Sequence, residues 1–111
     1  MPHLDHVVIS VADLSGAAVR WARLGLPSTA GGRHPGGTAN ILIRGPRSAY
    51  VELITANEDA DNHWAERVRS THGPLSFAVA VDDLDEAREA AIGVGFTPGP
   101  IRDGARVTPT G

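Results

Sequence analysis

The sequence predicts an α+β fold of two related modules around a shared core, the first a complete β-α-β-β-β unit and the second incomplete. Two observations carry this. The first is internal repetition. Val11-Ala12-Asp13-Leu14, Ala17 and Gly25-Leu26 recur, in order and at constant offset, as Val81-Asp82-Asp83-Leu84, Ala87 and Gly95-Phe96. Each copy follows a β-like run, Leu4 to Ser10 in one and Leu75 to Ala80 in the other. A strand, an Asp-Leu helix entry, a helix and a closing glycine form one supersecondary unit, present twice. The second observation is that the first copy runs on into further strand patterns, whereas the second reaches Gly111 before it can repeat them. The expected divisions are 1–57 for the first module, 58–74 for a connector with a short helix, and 75–111 for a second module that stops after β-α-β.

The elements follow in order. Leu4 to Val11 reads as a strand apolar on both faces, with Val7, Ile9 and Val11 on one and Leu4, His6, Val8 and Ser10 on the other. Such a strand lies between a helix layer and an interior cavity or second sheet. Asp13 or Ser15 caps the next helix, whose apolar stripe is Ala17, Ala18, Trp21, Ala22 and Leu24, and Gly25 ends it. Leu26 to His34 contains Gly31-Gly32 and reads as an edge or bulged strand. After the His34-Pro35-Gly36-Gly37 turn, Thr38 to Arg44 alternates Ile41 and Ile43 against Thr38, Asn40 and Leu42. Gly45-Pro46-Arg47-Ser48 connects to a strand from Ala49 to Thr55. There Val51 and Leu53 face one way, and Tyr50, Glu52 and Ile54 the other. A helix from Asn62 to Ser70 starts at an Asp61 or Asn62 cap. The second copy gives a strand from Leu75 to Val81 and a helix from Asp83 to Val94. A weak strand over Phe96 to Ile101, a turn at Arg102-Asp103-Gly104 and the start of another strand at Arg106 to Thr108 complete the reading.

Composition narrows the partners. The 111 residues suit one small domain, whose core gains from a partner subunit. The net charge is −3 and no stretch gathers basic residues with aromatics, which argues against nucleic acid. All ten basic residues are arginine. With no cysteine, disulfides and thiolate metal sites are excluded. No signal-peptide pattern opens the chain and no apolar stretch reaches membrane-spanning length, so a cytoplasmic protein with no membrane contact is the expectation. No phosphate-cradling glycine loop or nucleophile elbow is present.

Three stretches carry a family resemblance: Leu4-Asp5-His6-Val7-Val8-Ile9-Ser10-Val11-Ala12-Asp13-Leu14, then Gly31-Gly32-Arg33-His34-Pro35-Gly36-Gly37-Thr38-Ala39-Asn40, then Tyr50-Val51-Glu52-Leu53-Ile54. Over essentially the whole chain, the sequence resembles the glyoxalase-like branch of the vicinal oxygen chelate superfamily, which includes glyoxalase I, extradiol dioxygenases and bleomycin-resistance proteins. The resemblance implies paired βαβββ modules around a concave sheet. It also implies a divalent metal, Zn, Ni, Mn or Fe, with one ligand from the first and one from the last strand of each module. Carried over, these are His6 and Glu52, both on the concave face. The second module departs from the pattern: Ser76 takes the position equivalent to His6, and the chain has no counterpart of Glu52.

Each singled-out residue has two roles open to it. His6 is either a ligand or base, or a half-buried histidine satisfied by a carbonyl or carboxylate. Glu52 is costly on an inward face unless paired, either in a ligand pocket or with an arginine or His6 itself. Asn40 either orients a ligand or ties down the Gly36-Gly37 turn. His34 is either a substrate contact or an exposed turn residue, His63 and His72 read as solvated, Trp21 as core, and Trp64 as cover for a sheet edge or a subunit contact. The expected ligand pocket comprises Val8, Asn40, Leu42, Tyr50, Ile54 and Ala78. Three functions remain: a metal-free module binding a small molecule, a metal-dependent lyase, isomerase or dioxygenase using His6 and Glu52, and a non-catalytic remnant. Either a homodimer or a piece of a longer chain is expected, because the second module lacks the strands that would cover its sheet edge.

Overall fold

Strand alternation gives the sheet two apolar faces, one under the first helix and the other against the second. The computed structural model describes residues 2–103. Its elements are β1 (His3–Ser10), α1 (Leu14–Arg23), β2 (Thr29–Arg33), β3 (Thr38–Arg44), β4 (Tyr50–Ala56), α2 (His63–Ser70), β5 (Gly73–Ala80) and α3 (Leu84–Gly93). The five strands form one sheet in the order β2-β3-β4-β1-β5. β1 and β4 are parallel and the other neighbours antiparallel. The glycine-bearing strand β2 lies at one edge, with a register shift between Ala30 and Arg33. β5 forms the other edge.

The repeat is visible in hydrogen bonds as well as residues. Asp13 caps α1 by accepting from the Gly16 amide at 2.7 Å, and Asp83 caps α3 by accepting from the Glu86 amide at 3.0 Å. Beyond each helix a glycine with positive φ, Gly25 at 82° and Gly95 at 98°, turns the chain. Leu26 then donates to Trp21 O at 3.1 Å, as Phe96 donates to Ala91 O at 3.0 Å. This Schellman-type closure needs a left-handed residue, which glycine adopts without steric cost.

Two apolar clusters lie on opposite faces of the sheet. Under α1, the buried Ala17, Ile43 and Leu53 pack with Ile9, Val11, Trp21, Ile41 and Val51. These are the faces expected from alternation. On the concave face, Val8 and Ile54 pack against Val68 of α2. The Ser10 hydroxyl donates to Val68 O and pins that helix to the sheet. The connector thus contributes a second layer over one end of the concavity.

Two expectations differ. Leu24 does not join the α1 stripe: it is the helix C-cap, and it is 73% exposed. No strand forms over Phe96 to Ile101. Pro98 and Pro100 have no amide hydrogens to give a ladder, and the Arg88 guanidinium takes the Gly99 and Pro98 carbonyls at 3.1 and 3.4 Å. The expected strand from Arg106 to Thr108 lies outside the described residues. Among those residues, no helix is long and apolar enough to cross a membrane.

Candidate ligand site on the concave face

Glu52 sits on the middle strand of the sheet, facing the concavity, and is only 8% exposed. A carboxylate there needs donors, because water cannot reach it freely. The neighbouring strands supply them. From β1, His6 brings Nε2 to 3.3 Å of Glu52 Oε1. From β3, the Asn40 amide donates to Glu52 Oε2 at 2.6 Å. Glu52 is therefore held between His6 and Asn40, with no arginine involved.

The network extends in both directions. His6 Nδ1 lies 2.7 Å from Asp5 Oδ2, so a proton on Nδ1 donates to that carboxylate and sets the ring orientation. The Tyr50 ring stacks on the His6 imidazole with centroids 4.8 Å apart. Arg44 lies over the same tyrosine at 5.0 Å. On the other side, Asn40 Oδ1 accepts from the Gly32 amide at 2.8 Å, and this leaves its nitrogen for Glu52. That nitrogen also lies 3.4 Å from His34 Nε2, a longer and weaker contact. An accepting Nε2 leaves the His34 proton on Nδ1, which donates to Thr38 Oγ1 at 2.7 Å. Among the described residues, no buried side-chain nitrogen or oxygen lacks a partner.

Asn40 thus ties Glu52 to the bulge of β2 and not to the Gly36-Gly37 turn. That tie depends on Gly31. A Cβ at this position would lie 1.9 Å from Asn40 Oδ1 and 2.6 Å from its backbone oxygen. The glycine pair that weakens β2 as a strand is what lets Asn40 nest against it.

Above this floor is a cleft of about 380 Å³. Of the residues expected in a pocket, Val8, Ile54 and Ala78 line it, as do His6 and Glu52. Asn40 and Leu42 are 6% and 2% exposed and lie among the buried residues beneath the lining. Tyr50 borders a different depression with Leu4, Val7 and Trp21. His34, Gly36, Thr38, Trp64, Ser76 and Phe77 also line the cleft, and of these Trp64 was not expected there. The four-residue spacing of Trp64 and Val68 was the available signal for Trp64: both share the α2 face that meets the sheet. His34 is half-buried because its ring is bonded to Thr38, a partner that the turn sequence does not reveal.

The metal implied by the resemblance can be tested against these donors. Two ligands at about 2.1 Å from a tetrahedral ion stand about 3.4 Å apart, close to the 3.3 Å between His6 Nε2 and Glu52 Oε1. The carboxylate of Asp5 behind His6 is also a usual supporting contact. The set stops there. Among the described residues, no group of three or more histidine, cysteine, aspartate or glutamate side chains is arranged to hold a metal ion. Ser76, in register with Val8, brings only a hydroxyl to this part of the sheet. Two donors do not fit a tightly held ion.

Comparison with known proteins agrees with the architecture. The chain matches the family model described as a glyoxalase-like domain over residues 4–111, and it belongs to that family. Its fold is therefore of the vicinal oxygen chelate type. A solved structure of a hypothetical protein from Staphylococcus aureus aligns with a TM-score of 0.77 at 17% identity, covering 99% of this chain and 49% of that one. At that identity the likeness shows the fold alone, and this chain spans about half the length of that relative. No curated protein matches.

The nesting of Asn40 on Gly31 yields a direct expectation. Gly31→Ala should cost about 1–3 kcal/mol of stability in chemical denaturation, because the new methyl overpacks the Asn40 side chain and backbone. Gly93→Ala, where nothing lies within 4 Å of the new Cβ, should be neutral or stabilising. A Gly31→Ala protein as stable as the parent would contradict the clamp.

Proposed function

We propose that this glyoxalase-like domain binds a small molecule in the concave cleft, without a tightly held metal. The observation that carries the reading is the floor of the cleft. Glu52 and His6 are polar groups held in place by each other and by Asn40 and Asp5, set among the apolar Val8, Ile54 and Ala78. An apolar hollow with a few fixed polar groups is the usual form of a ligand site. The dialysed protein should contain Zn, Ni, Mn and Fe far below one equivalent, and His6→Ala or Glu52→Gln should not change that content. Stoichiometric metal that disappears in either variant would instead favour the metal-dependent enzyme, with His6 and Glu52 as ligands.

We further propose that the domain works as a homodimer. β5 has no strand on its outer side among the described residues. Phe77 and Val79 on that strand are 67% and 49% exposed, and Leu84, Ile92 and Phe96 on and beyond α3 are 59%, 44% and 68% exposed. α3 has no buried residue at all. An open edge with this many exposed apolar side chains on and after it is what natural proteins cover. A second copy related by a two-fold axis would present the same surface in return. Light scattering at micromolar concentration should give twice the chain mass, and Val79→Glu should shift the protein towards monomer. A stable monomer with the parent sequence would refute the dimer.

A further inference from the structure

We infer that the cleft selects a ligand with a cationic head, an alkyl- or arylammonium group, on an apolar body. This rests on the cleft being a small-molecule site and adds the class of molecule. The argument is the charge that the cleft presents. Its lining includes one carboxylate and two imidazoles but no arginine, in a chain whose basic residues are all arginine. Asp5 adds a second carboxylate against His6. Asp5, His6 and Glu52 together carry one net negative charge when the imidazole is protonated and two when it is neutral. The sign is the same in either state. His34 is turned toward Thr38, 2.7 Å from Oγ1, and not toward Glu52.

The neighbouring cations do not reverse this. Arg44 and Arg67 stand against aromatic rings, 5.0 Å from Tyr50 and 5.7 Å from Trp64, and neither lines the cleft. Arg33 lines an adjoining depression. A carboxylate or phosphate ligand would therefore meet uncompensated negative charge. An ammonium group meets Glu52, where Oε2 accepts from Asn40 and Oε1 lies 3.3 Å from His6 Nε2, so that acceptor capacity remains. Trp64 borders the same space and can face either the cation or the apolar body. Val8, Ile54 and Ala78 supply the apolar surface for the rest of the molecule.

Benzylamine, benzyl alcohol and benzoate match in shape and differ in charge, so they test the inference when titrated into the full chain. NMR signals of the Trp64 indole N–H and the Ala78 methyl report binding in the cleft. Benzylamine should bind about tenfold or more tightly than benzoate at low salt, with benzyl alcohol between them, and added salt should narrow the gap. Glu52→Gln should bring benzylamine down to the level of benzyl alcohol. Ser76→Arg, at an exposed position on the lining, should abolish or reverse the preference without touching the buried network. Benzoate binding as tightly as benzylamine would overturn the inference and leave the small-molecule reading intact. An amine preference that survives both substitutions in folded protein would also overturn it. No response to any of the three compounds would overturn the reading of the cleft itself.

Discussion

A carboxylate buried on the middle strand of the sheet is the constraint on which the rest of the site depends. Glu52 sits on β4, where an unpaired charge would cost several kcal/mol. Its two oxygens are met by two different strands, His6 from β1 and Asn40 from β3. Each donor is held from behind, His6 by Asp5 and Asn40 by the Gly32 amide. The chain of dependence therefore runs across four of the five strands, from β1 to the bulged edge of β2. A flat, regular β2 carrying side chains in place of Gly31 would leave Asn40 no room. The irregularity of the edge strand and the order of the central site are one feature.

The same sheet is unevenly covered. The half made of β3, β4 and β1 has α1 on one face and part of α2 on the other, and it contains every buried hydrophobic residue of the described chain. The half that ends in β5 has a helix that buries nothing. The two copies of the repeat thus have matching caps and closures but unequal packing. Local sequence sets the caps, and packing needs partners that only the first copy has within the described residues.

How far the sequence could be read follows from this distinction. Alternation placed Val8, Ile54 and His6 on the concave side and Ile9, Ile43 and Leu53 on the other, because a strand has only two faces. The Asp13 and Asp83 caps and the Gly25 and Gly95 closures were legible because they are local. The docking of α2 was not. Its amphipathic pattern shows that Val68 is buried but not against which side of the sheet, and the anchoring bond from Ser10 is distant in sequence. The partner of Asn40 was hidden for a related reason: a bulge shifts register, so pairing across β2 and β3 could not be counted from residue numbers. The prolines near Phe96 warned against a strand there, and the Arg88 contacts show where those carbonyls go instead.

The central claim is that Asn40 and Glu52 act as one unit. A double-mutant cycle with Asn40→Leu, Glu52→Leu and the pair, measured by chemical denaturation, tests it most directly. Each single change strands a buried polar partner and the double change removes both, so the losses should fall short of additive by about 1–3 kcal/mol. Losses that add to within about 0.5 kcal/mol would show that the two side chains are independent and would contradict the account.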